Sequence, residues 1–128
     1  MSDFWNGKQV LVTGAGGFIG SHLVEALLHE GARVRAFVRY NSRGDRGLLH
    51  YVRPEVFSQI EVVAGDLRDM PTVNAAVEGC QVVFHLGALI SIPYSYKHPV
   101  EVAETNLLGT LNVLLACVEK NVGRLVHT

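Results

Sequence analysis

Apolar residues in this chain follow two alternating rhythms. Short apolar runs, such as Val10-Leu11-Val12 and Val82-Val83-Phe84, stand between polar or glycine residues and read as buried strands. Strands are predicted over Gln9 to Thr13, Arg33 to Arg39, Ile60 to Ala64, Gln81 to His85 and Arg124 to Thr128. Between them apolar residues recur at steps of three and four, the helical period. The first helix is predicted over Phe18 to Glu30, with Ile19, Leu23, Ala26 and Leu27 on one face and Gly31 as its stop. A second runs from Met70 to Glu78, before Gly79. Pro99 opens a long third helix, where its missing N–H costs little. Val100, Ala103, Leu107, Leu111, Leu114 and Val118 form its expected core stripe, and it stops near Asn121 to Gly123. Gly47 to Val56 fits a short helix, Leu89 to His98 reads as a mixed loop, and Phe4 and Trp5 are expected to anchor under the sheet edge.

The junction of the first strand and first helix carries Thr13-Gly-Ala-Gly-Gly-Phe-Ile-Gly20. Glycines at i, i+2 and i+5 would mark the best-known dinucleotide fingerprint. Here Ile19 occupies the last of those places, and the spacing is instead Gly14, Gly17 and Gly20. A helix N-terminus leaves backbone N–H groups unpaired and is partly positive, so an anion sits there readily. Glycines let the backbone turn tightly and approach phosphates. The alternative is an ordinary glycine-rich loop; the strand before and the amphipathic helix after favour a nucleotide site. Strand–helix alternation then predicts an α/β fold, a Rossmann-type doubly wound parallel sheet of order 3-2-1-4-5 with right-handed crossovers. Residues 1–128 are expected to form one such domain, truncated after the fifth strand.

Composition narrows the classes. A net charge of −1 leaves no electrostatic footprint for nucleic acid. No run of 18 apolar residues occurs, so no membrane-crossing helix is expected. Met1-Ser2-Asp3-Phe4-Trp5 does not read as a signal peptide. Cys80 and Cys117 lack CxxC spacing and are expected as reduced core residues of a cytoplasmic protein. His22, His29, His50, His85, His98 and His127 show no metal spacing, and His85 reads as a hydrogen-bonded core histidine. The motifs of α/β-hydrolases, zinc proteases and P-loop proteins are absent from the sequence.

Four pieces in order, the glycine turn, Gly65-Asp66-Leu67-Arg68-Asp69, His85-Leu-Gly-Ala88 and Thr105-Asn106-Leu-Leu-Gly109-Thr110, carry a resemblance. Together they resemble the extended short-chain dehydrogenase/reductase family, the nucleotide-sugar epimerases and dehydratases. Val38 to Arg43 and Ile92-Pro93-Tyr94 are most similar to its 4,6-dehydratase branch. The resemblance implies that Gly14, Gly16, Gly17, Phe18, Ile19 and Gly20 bind the cofactor pyrophosphate. It implies that Asp66 accepts the adenine amino group and Leu67 lies on the ring, although Asp66 could instead cap the next helix. Leu86, Gly87 and Ala88 would flank the pyrophosphate and nicotinamide ribose, with Gly87 where the family usually has alanine. Asn106 would be a structural asparagine facing the site, or else a solvated helix residue. The long helix would join a homodimer's four-helix bundle, with Leu108 and Leu115 as contacts or else lining the sheet.

Cofactor type follows from the end of the second strand, where an acid suits the NAD ribose and an arginine the NADP phosphate. Phe37 to Arg43 holds no carboxylate but has Arg39 and Arg43, so NADP is expected, with NAD the alternative. The family's chemistry also needs Tyr-x-x-x-Lys. Four residues after Tyr40, Tyr51, Tyr94 and Tyr96 come Gly44, Glu55, His98 and Val100, so no catalytic residue is assigned. Ser91, Tyr94 and Tyr96 could border a sugar or simply pack their loop. Two readings result: the cofactor part of a nucleotide-sugar 4,6-dehydratase or 4-epimerase, or a stand-alone dinucleotide-binding module without catalysis.

Overall fold

The computed structural model describes residues 3–128; Met1 and Ser2, part of the stretch read as no signal peptide, lie outside the described residues. Five parallel strands form one sheet: β1 (Gln9–Thr13), β2 (Arg33–Arg39), β3 (Glu61–Gly65), β4 (Val82–His85) and β5 (Arg124–His127). Their order is β3-β2-β1-β4-β5, as the alternation of elements predicts. Thr13 pairs with Phe37 on one side and His85 on the other, so β1 and β4 end level and β2 runs two residues further, to Arg39. Strand order reverses beside β1, and in such sheets a ligand crevice opens at the carboxyl end of that point.

The period of two along β1 divides the core. Val10 and Val12 face one side, with Val24 and Leu27 of helix α1 (Phe18–His29) and the buried Leu49. Leu11 faces the other, with Val73 and Val77 of the helix Met70–Val77, and with Val113 and Ala116. Burying each such valine or leucine contributes roughly 1.5–3 kcal/mol. Cys80 and Cys117 are free and buried in this second layer, and burial pushes the Cys80 thiol up to about 11. Trp5 packs on the first layer, its ring 5.9 Å from Phe84.

The remaining helices are α2 (Pro54–Phe57), α3 (Met70–Val77), α4 (Ile92–Lys97), α5 (Pro99–Ala103) and α6 (Gly109–Glu119), with a π-helical stretch, Glu104–Leu108, joining the last two. The stretch expected as one short helix over Gly47 to Val56 is a 3₁₀ turn, Gly47–Tyr51, followed by α2. The expected loop over Leu89 to His98 contains α4. Ser91 caps it by accepting from the Tyr94 N–H, and Pro93 sits in its first turn, where proline is tolerated.

Two helix faces differ from expectation. On α1 the buried residues are Gly20, Ser21, Val24 and Leu27, while Ile19 is 68% exposed and Ala26 is exposed. On the long helix Gly109, Val113, Ala116 and Cys117 face the sheet, and the stripe of Val100, Ala103, Leu107, Leu111, Leu114 and Val118 faces outward. The reason is close approach. A Cβ at Gly109 would lie 2.9 Å from the Cβ of Leu67, so only a residue without one seats the helix at this depth. Contrary to the expectation from unbroken apolar runs, Pro99–Glu119 is long and apolar enough to cross a bilayer by length and composition.

Candidate functional site

The glycine turn is built as a cradle. Gly14 has φ +66°, a left-handed conformation that favours glycine, and a Cβ there would lie 2.9 Å from the Gly87 nitrogen. Gly17 donates to the Gly14 carbonyl at 3.0 Å and then serves as the N-cap of α1. It has no side chain to accept the helix's first N–H groups, so these are left for a ligand. A Cβ at Gly20 would stand 2.1 Å from the Gly14 carbonyl oxygen, so this turn and helix meet only through glycine.

In front of the cradle lies a cleft of about 660 Å³. Gly14, Gly16, Gly17, Phe18, Ile19 and Gly20 line it, together with Arg39, Leu86 and Ala88. Ile19 is thus exposed because it walls the cleft. A smaller cavity of about 120 Å³ adjoins, lined by Asp66, Leu67, Gly87, Ala88, Arg39 and Phe37 among others. Every sequence-predicted site residue except Asn106 borders one of these two spaces. Asn106 sits in the π-helical stretch and clamps the β4 loop: its Oδ1 accepts from Leu89 N at 2.8 Å and its Nδ2 donates to Leu89 O at 2.9 Å. It is neither a solvated helix residue nor a wall of the cavities.

Asp66 is not a helix cap; that place belongs to Asp69, which accepts from Thr72 N. The Asp66 carboxylate is instead gripped by Arg68, whose Nη2 lies 2.7 Å from Oδ2 and whose Nε reaches both oxygens. Those bonds hold its pKa below the ordinary carboxylate value. Arg68 also reaches Glu104 at 3.3 Å, joining the end of β3 to the long helix. Arg39 is likewise engaged: its Nη2 donates to Glu101 at 2.7 Å, and Tyr94 donates its hydroxyl to the same carboxylate. The Tyr94 bond, with Arg39 after it, lowers the Glu101 pKa, and the same bond raises that of Tyr94.

The sequence reading did not anticipate the strap formed by residues 45–48. Asp45, Arg46 and Gly47 border the large cleft, and Leu48 N donates to the Gly16 carbonyl at 2.8 Å. Asp45 caps the Gly47 N–H at 2.7 Å, and Arg46 lies over the Phe57 ring at 4.7 Å. Only the polar Asn41–Gly47 composition hinted at this segment, and composition does not say that a loop folds back. Arg43, the second arginine of the cofactor argument, does not line the cleft. Among the described residues no group of His, Cys, Asp or Glu could hold a metal.

A parallel α/β sheet with a glycine cradle at its switch point defines a nucleotide-binding Rossmann domain. Residues 11–128 match the family model described as GDP-mannose 4,6 dehydratase, and the chain belongs to that family, within the extended short-chain dehydrogenases/reductases. It is 38% identical over 120 residues to a 2-alkyl-3-oxoalkanoate reductase of Stenotrophomonas maltophilia, covering 94% of this chain and 32% of that one. Among solved structures, Pen from Bacillus thuringiensis superposes with a TM-score of 0.86 at 30% identity, covering 97% of this chain and 39% of Pen. The Thermus thermophilus UDP-glucose 4-epimerase in complex with NAD gives 0.75 at 37% identity, covering 91% and 36%. The chain spans about a third of the length of the curated relatives it matches.

Proposed function

We propose that this chain is the cofactor-holding part of an NAD(P)-dependent nucleotide-sugar 4,6-dehydratase or 4-epimerase. The observation that carries the reading is the cradle: three glycines whose absent Cβ atoms let turn, helix and β4 loop meet backbone to backbone, at a helix N-terminus with no side-chain cap, the kind of end that suits a phosphate. Bound there, a nicotinamide dinucleotide supplies the acceptor, and then the donor, of hydride at the sugar C4 carbon. The chain's own residues bind and orient it: Gly14 to Gly20 take the pyrophosphate, Leu67 and Asp66 border the adenine, and Leu86 to Ala88 border the nicotinamide ribose. With no Tyr-x-x-x-Lys in the sequence, this chain alone is expected to be inactive. The whole protein would work on a nucleotide sugar in the cytoplasm as a homodimer, for which the exposed leucines of the long helix are the support.

For the cofactor we favour NADP, because Arg39 lines both cavities and the end of β2 carries no carboxylate. NAD is the second reading, and a specific observation favours it: Glu101 already occupies the Arg39 guanidinium, and the Thermus relative holds NAD. Calorimetric titration of the purified chain with each dinucleotide decides. NADP binding tighter, with the advantage lost in Arg39→Ala, is the expected result. Tighter NAD binding would sink the arginine argument and keep the cradle. Binding of neither to a folded chain would leave the reading without support.

A further inference from the structure

His85 ends β4 only 1% exposed, in contact with two hydroxyls. Its Nδ1 is 2.7 Å from the Thr13 hydroxyl and its Nε2 is 2.9 Å from that of Thr110. The direction of every bond follows from the neighbours. Thr13 Oγ1 accepts the Leu86 N–H at 3.0 Å and the Gly87 N–H at 2.9 Å, and backbone N–H groups can only donate. Both hydroxyl lone pairs are then used, and its single proton goes to His85 Nδ1. A neutral imidazole has one ring proton, which must therefore sit on Nε2 and point at Thr110. Thr110 passes its own proton to the Asn106 carbonyl at 2.7 Å, and the Asn106 side chain clamps Leu89.

We propose that Thr13, His85 and Thr110 form a one-directional hydrogen-bond relay that positions the residue 86–89 backbone against the glycine cradle, with the His85 proton on Nε2. As a positioning device for a cofactor wall it rests on the dinucleotide reading above. The relay ties together the ends of β1 and β4 and the long helix, three elements distant in sequence. Its members hold the wall and do not themselves line either cavity. From β5 the His127 ring stacks on His85 at 5.1 Å, and β1 and the long helix present only hydroxyls to its ring nitrogens. A second proton would have to enter at Nδ1, opposite the Thr13 hydroxyl, leaving that hydroxyl without an acceptor. Burial and His127 both disfavour it.

Nitrogen-15 NMR of the full chain reads the tautomer directly. The expected spectrum shows His85 Nδ1 bare and Nε2 protonated. Thr13→Val should speed hydrogen exchange at the Leu86 and Gly87 amides and weaken dinucleotide binding, each by about tenfold, whereas Thr13→Ser should stay close to the parent chain in both. If Thr13→Val does not fold, Thr110→Val breaks the relay from its far end: Thr13 keeps the proton on Nε2, that N–H loses its acceptor, and faster exchange at the Leu86, Gly87 and Leu89 amides is expected. A proton on Nδ1, or unchanged exchange in a folded Thr13→Val or Thr110→Val chain, overturns the relay. Failure of the parent chain to bind dinucleotide would strike the cofactor reading alone, since tautomer and exchange still decide the relay.

Discussion

The first helix and the last make the same approach to the sheet and leave different surfaces behind. Each meets it largely through small residues, Gly20 and Ser21 on α1, Gly109, Ala116 and Cys117 on α6, with Val24 and Leu27 added on the first and Val113 on the second. Each turns large apolar side chains away. On α1 those are Phe18 and Ile19, which rim the cleft. On the long helix they are Leu107, Leu108, Leu111, Leu114 and Leu115, which form a bare strip between 44% and 70% exposed. A helix seats deepest where its side chains are smallest, and its big hydrophobic residues are then free to serve a ligand or a partner.

The comparison breaks most severely at α1. Gly20→Val puts carbon against the Gly14 carbonyl, where backbone cannot yield, and urea unfolding should show a loss on the order of 3 kcal/mol or more. Dinucleotide binding should vanish with it. A loss under half of that would mean the turn can move aside.

Next comes acidification, which acts at His85, beside Thr110 of the last helix. Burial, then the His127 ring, lowers its pKa from 6.5 to about 4. Above pH 6.5 folded and unfolded chains both hold it neutral, and it adds no pH dependence. Between 6.5 and 4 only the unfolded chain takes the proton, so stability falls as pH falls, by up to about 3 kcal/mol, and levels off below. Unfolding free energies measured across that window should show this slope, and His85→Gln should flatten its share of it.

On the last helix the two faces should separate cleanly. Val113→Ala, fully buried, should cost about 2 kcal/mol in denaturant melts. Leu111→Ala and Leu114→Ala should change the monomeric chain by less than about 0.5 kcal/mol. In the homodimer proposed for the whole protein, the same two changes should lower the dimer fraction in sedimentation. A large stability loss in the isolated chain would show that the strip is covered from within.

Much of this was legible in the residues themselves. The strands, their order and the cradle follow from local facts: unbroken apolar runs, glycine punctuation and the alternation of two periods. The cavity-lining residues at the strand ends were legible because they cluster in contiguous motifs, whereas Asp45, Arg46 and Gly47 were not, because a polar loop does not show that it folds back. Helix faces were less so. A stripe at steps of three and four says that a helix has an apolar side, but Leu111 and Val113 both belong to apolar stripes, and counting favours the larger residues. Helix α4 was hidden because Pro93 reads as a breaker when its position within the turn is unknown.

The sequence by itself determined the order of elements, the glycine turn and the lack of a tyrosine–lysine pair, because each depends on neighbours along the chain. Tertiary structure alone decided which side of each helix is buried, that Glu101 and Arg68 take up the charges of Arg39 and Asp66, and that His85 bridges two threonines. Those outcomes depend on distances between residues from 2 to 72 positions apart, set by how closely the backbones pack. Even Arg68 and Asp66, near in sequence, are aimed at each other by the turn that follows β3.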